Sequence, residues 1–114
     1  MTINDLQEFG ANTAEGLGRL LNNEDFYIRM VKMAAADDSG IETLKAAIAQ
    51  KDLKAAFDAA HGLKGSLGNL ALSPLYDPIA EMTELLRVET DTDYSGYLKE
   101  IETQWSKLKE LCAN

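Results

Sequence analysis

Apolar residues recur along this chain at intervals of three and four, the period that lines one face of an α-helix. Alternating β-branched runs are nearly absent, so the pattern predicts helices throughout. Ile3, Leu6 and Phe9 mark a short helix ending near Gly10. Asn12 caps a second, with Glu15 three residues on as its reciprocal partner, and Leu17, Leu20 and Leu21 give it an apolar side. Asn23 is a third cap. After it Phe26, Met30, Met33, Ile41, Leu44 and Ile48 keep one helical phase. Asp38, Ser39 and Gly40 interrupt this stretch, and Ser39 with Glu42 has capping-box spacing. Because the phase survives the interruption, the pattern predicts one long helix over 24–50, kinked at Gly40.

Asp52 caps the next helix, whose stripe is Leu53, Phe57, Ala60, Leu63, Leu67 and Leu70, and Ser73 and Pro74 punctuate its end. A further helix runs through Ile79, Met82, Leu85 and Leu86, with Asp77 as cap and Pro78 in its first turn. VETDTD, residues 88–93, is a loop. The last helix carries Tyr94, Tyr97 or Leu98, Ile101, Trp105, Leu108 and Leu111. Four long amphipathic helices with short connections predict an all-α fold, an antiparallel four-helix bundle with one or two short extra N-terminal helices. One domain spans 1–114, with short helices in 1–22 and the bundle in 24–112. One bundle buries its own stripes, so a monomer is expected.

Composition narrows the class. With 11 Lys and Arg against 19 Asp and Glu, the formal charge is −8, which argues against a nucleic-acid partner. No basic block suggests an anionic membrane, and no apolar run approaches a spanning helix. The start, MTINDLQEF, lacks the basic and uninterrupted apolar segments of a signal peptide. One cysteine, Cys112, excludes an internal disulfide and fits a reducing compartment. It reads as a small apolar residue near a helix end rather than a reactive thiol. A cytoplasmic protein is expected, and Met1 with a finished last helix favours a free-standing one.

The informative stretch is AAHGLKGSLGNL, residues 59–70, with the chain's only histidine and three glycines inside a helix. At 100° per residue, His61 lies roughly 110° from the centre of the apolar stripe. Lys64, Gly65 and Gly68 follow it at i+3, i+4 and i+7, on the same side. Each glycine costs a helix about 1 kcal/mol against alanine, so the three cost ~3 kcal/mol of a typical total of about 5–15 kcal/mol. A lone surface histidine is ordinarily just that, but such a cost asks for a use. Gly65 and Gly68 clear space beside His61 for a partner's backbone, whereas Gly62 points elsewhere and has no functional account. Imidazole nitrogen is a good nucleophile near neutral pH. A phosphoryl group on it would gain under ~1 kcal/mol from Lys64 about 5 Å away in a water-like dielectric, a bias that suits holding and release.

His61-Gly62-Leu63-Lys64-Gly65-Ser66 resembles the His-x-Leu-Lys-Gly-small motif of histidine-containing phosphotransfer (HPt) domains. EDFYIRMVKMAAAD looks like that family's long bundle helix, and GNLALSPLYDPIAEM like its segment after the motif. The resemblance implies a phosphorelay intermediate in two-component signalling, not an enzyme with its own nucleotide site. His61 would be the phosphoacceptor through Nε2, Lys64 would assist electrostatically, Gly65 would give access, and Gly68 would belong to the docking face. The partners implied are response-regulator receiver domains or a hybrid sensor histidine kinase. The domain itself needs no cofactor, because the divalent metal sits on the receiver. The docking face should be less acidic than the rest. The chain departs from the family pattern at Gly62, Leu67 and Ala71, where a side chain, a small residue and glycine are usual.

Two other classes remain. A haem bundle would use His61 and Met82 as ligands, but His61 lies off the core stripe, Met82 fits its own helix's core pattern, and no second histidine or cysteine cluster supports a metal site. A helical adaptor would bind a partner without phosphotransfer and would tolerate His61→Gln.

Overall fold

The caps set the helix starts. Side-chain oxygens of Asn12, Asn23 and Asp52 accept from the backbone N–H of Glu15, Phe26 and Ala55 at 3.2, 3.0 and 3.1 Å. Thr2 and Asp5 form a reciprocal capping box at the first helix. The computed structural model describes residues 1–113. Seven helices follow: α1 (Ile3–Phe9), α2 (Thr13–Arg19), α3 (Glu24–Ala36), α4 (Ser39–Ala49), α5 (Leu53–Asn69), α6 (Ser73–Arg87) and α7 (Ser95–Cys112). The fold is an all-helical bundle, as the apolar spacing predicts. Helix α5 packs most extensively on α6 and α4, α6 on α7, and α3 on α7. Its centre is closed by wholly buried Leu44, Leu67, Ile79, Met82, Ile101 and Leu108. Each such side chain contributes about 1.5–3 kcal/mol of burial. Among the described residues no helix is long and apolar enough to cross a membrane.

The single helix over 24–50 is corrected to two. Asp37 adopts an extended backbone, and its carboxylate accepts from the N–H and hydroxyl of Ser39 at 3.0 and 2.6 Å. That turn stops α3, and α4 restarts at Ser39, where Ser39 and Glu42 have capping-box spacing but no side-chain cap forms. Asp38 then accepts from the Trp105 indole at 2.8 Å and from Lys109 at 2.8 and 2.9 Å, fastening the corner to α7. Because the chain turns here, the phase shared across the break carries no meaning for α3. That helix buries Tyr27, Val31 and Ala35, a stripe one to two residues on from the expected Phe26, Met30 and Met33. Phe26 and Met33 are 38 % and 61 % exposed. Both stripes are apolar, and Tyr27 decides between them by reaching a buried carbonyl with its hydroxyl.

Helix α6 also starts earlier than expected. It begins at Ser73 with Pro74 in its first turn, where a missing N–H costs nothing. Pro78 therefore lies inside the helix, and Asp77 is not its cap.

Candidate functional site

Helix α5 ends where its neighbours hold it. Ala71 takes a left-handed backbone (φ 54°), and the N–H groups of Ala71 and Leu72 donate to Gly68 and Leu67 at 3.0 and 3.1 Å. This is the Schellman arrangement, usually completed by glycine; alanine there costs about 1 kcal/mol. The departure at Ala71 is thus a strained helix stop. Three carbonyls in this end accept from other elements. Arg19 donates to Gly68 O, the Tyr27 hydroxyl to Leu70 O at 2.7 Å, and Asn12 N–H to Ala71 O at 2.9 Å. The last carbonyls of a helix lie outside its regular ladder, and these contacts from other elements fix the end of α5 in space.

With its end fixed, α5 turns Ala56, Ala60 and Leu67 into the core and His61 out to solvent. Leu67, the second departure, is a core residue, 1 % exposed. His61, Lys64, Gly65 and Gly68 line one open groove of about 500 Å³ between α5, α6 and α2. Arg19, Tyr76 and Asp77 stand on its far walls. The four residues singled out from sequence are therefore brought together. Their roles differ, however. A Cβ on Gly65 would meet nothing within 4 Å beyond its own helix backbone and sequence neighbours, among the described residues. A Cβ on Gly68 would come within 3.0 Å of the Tyr76 ring. Gly65 leaves open space, and Gly68 admits a packed aromatic ring at the groove wall.

The imidazole has a platform that the sequence reading missed. The Phe57 ring stacks on His61 with centroids 5.6 Å apart and planes 18° from parallel. The Arg87 guanidinium lies over Phe57, 5.1 Å from the ring centroid. Aromatic residues at i and i+4 are the signal in the sequence for this stack, and the half-buried Phe57 serves both it and the edge of the core stripe. Arg87 Nε also meets Glu84 at 3.3 Å, and the second oxygen of Glu84 meets Lys64 Nζ at 3.7 Å. Hydrogen bonding and the charge of Arg87, then the charge of Lys64, hold the Glu84 carboxyl below its ordinary range.

Charge in the groove is balanced. Arg19 and Lys64 stand against Glu15 and Asp77, so two cations offset two carboxylates in a chain of net charge −8. On the opposite flank of α5, Gly62 and Ser66 line a larger, mainly apolar groove of about 880 Å³ with Leu20, Met30, Met33 and Leu63. This gives Gly62 a place that the sequence did not: it is open there too.

The rival ligand pair is not assembled. Met82 is wholly buried in the core, and the groove His61 lines does not include it. Among the described residues no three histidine, cysteine or acidic side chains cluster as a metal site. Cys112 lies half-buried with its sulfur 4.0 Å from that of Met1, and burial pushes its thiol up.

A protein-family comparison matches the Hpt domain over residues 27–112, which takes in α4 to α7, most of α3 and the α5 and α6 sides of the His61 groove, but not α1 or the groove wall on α2. No curated protein and no solved structure matches the chain.

Proposed function

This chain belongs to the Hpt domain family, and from that premise we propose that His61 accepts a phosphoryl group from a receiver-domain aspartyl phosphate and passes it to another receiver. Hpt domains take part in histidine phosphotransfer relays as carriers, and they interact with receiver domains and kinases. The observation that carries the assignment to His61 is the exposed imidazole of the only histidine, in one groove with a half-buried lysine ammonium.

In the forward step the lone pair of Nε2 attacks phosphorus in line with the bond to be broken. The acyl P–O bond breaks, and its electron pair leaves on the receiver's aspartate. The ring then loses its remaining N–H proton to water and stays uncharged, carrying the phosphoryl dianion. Phe57 holds the ring plane for this approach, and Lys64 offsets the arriving charge. The receiver supplies the divalent metal, and this chain brings no nucleotide or cofactor. Gly65 lets the receiver's backbone approach, and the charge-balanced groove spares an acidic partner the repulsion of the wider surface. The apolar groove with Met30, Met33 and Leu63 supplies the adaptable part of the docking face.

The test offers a receiver charged with labelled phosphate to the wild type and to His61→Gln. Acid-labile, base-stable label on the wild type alone is expected. Label on neither protein, or on both, removes the assignment, and receiver binding without label transfer would favour an adaptor.

A further inference from the structure

Lys64 is not waiting alone. Its ammonium is 3.7 Å from Glu84, and Glu84 is shared with Arg87 at 3.3 Å. Arg87 in turn covers Phe57, on which His61 stacks. The five side chains form an open line of contacts across α5 and α6, from the His61 imidazole at one end to Lys64 at the other, with Glu84 the only anion among them. The Glu84 side chain is 59 % exposed and the Lys64 contact is long. Pairs of this kind are weak, so Lys64 can leave cheaply. A phosphoryl group on His61 would bring nearly two negative charges against the one on Glu84.

We propose that Glu84 is an exchangeable counter-ion for Lys64, setting how readily His61 takes a phosphoryl group. Before transfer, the carboxylate holds Lys64 on the α6 side. As the N–P bond forms, Lys64 stays protonated and changes partner, moving from Glu84 to the phosphoryl oxygens. Glu84 keeps Arg87, so no carboxylate is left unpaired and the Phe57 platform stays braced. Glu84 thus acts through Lys64 as a positioning residue. This rests on the assignment of His61 as acceptor.

Phosphoramidate serves as a small phosphoryl donor, its P–N bond breaking with loss of ammonia, so no receiver is needed. The rate of phosphohistidine formation is followed by phosphorus NMR in the wild type, Glu84→Gln, Lys64→Ala and the double variant. Glu84→Gln is expected to be faster by up to about fivefold, the range of an exposed ion pair. The gain should vanish in the Lys64→Ala background and shrink in high salt. An unchanged rate in Glu84→Gln, or an equal gain without Lys64, overturns the proposal while leaving the acceptor assignment standing. A wild type that forms no phosphohistidine overturns both.

Discussion

The last turn of α5 and its middle use the same residue for opposite ends. At the last turn, Gly68 lets Tyr76 pack at contact distance while Arg19, Tyr27 and Asn12 occupy the nearby carbonyls. Gly16 does the same for Tyr27: a Cβ there would lie 2.6 Å from the phenol ring. In the middle, Gly62 and Gly65 face open space among the described residues, and His61 stacks on a ring from its own helix. Where a glycine admits another element, its cost in helix propensity is offset by packing. Where it admits nothing in this molecule, the full cost of about 1 kcal/mol stands, and the vacant space is the reason to look for a visitor.

The contrast breaks most visibly at Gly16. Gly16→Ala should destabilise the protein by about 1–3 kcal/mol, because Tyr27 is buried and cannot yield. Denaturant unfolding would measure it. Tyr27→Phe should cost roughly 1 kcal/mol through the lost bond to Leu70 O.

The same tyrosine gives the contrast a pH signature. Burial raises the Tyr27 phenol above its ordinary 10.0. Above that pH the unfolded chain loses the proton first, so stability falls as pH rises through the folded value. Tyr27→Phe should flatten the alkaline decline in unfolding free energy. An unchanged slope would mean that Tyr27 is not held as described.

Gly65→Ala should act in the opposite sense from Gly16→Ala, raising stability by about 0.5–1 kcal/mol. It should also slow phosphoryl uptake from a charged receiver by about tenfold or more while leaving uptake from phosphoramidate near the wild-type rate. Equal slowing with both donors would assign Gly65 to the chemistry rather than to access.

Much of this molecule is readable along the chain. The caps at Asn12, Asn23 and Asp52, the buried Ala60, Leu67 and Leu70 of the α5 stripe, and the shared side of His61, Lys64 and Gly65 follow from local periodicity and side-chain chemistry. Errors fall where two local patterns compete. Phe26-Met30-Met33 and Tyr27-Val31-Ala35 are both acceptable stripes, and a phase kept across Asp38 looked like continuity. Pro78 looked like a start because proline favours first turns, whereas Pro74 had already taken that place.

What the sequence determined by itself is therefore the helical class, the side of α5 on which His61 stands, and the cation one turn away, because all three depend on residues within a few positions of each other. Only the tertiary structure decided which stripe α3 buries, that Gly68 packs while Gly65 stays open, and that Glu84 and Arg87 meet Lys64 and Phe57. Those outcomes depend on atoms 8 to 43 positions apart, such as Gly68 and Tyr76, Lys64 and Glu84, or Tyr27 and Leu70. No local periodicity encodes such distances; packing brings these atoms together only after the helices have formed.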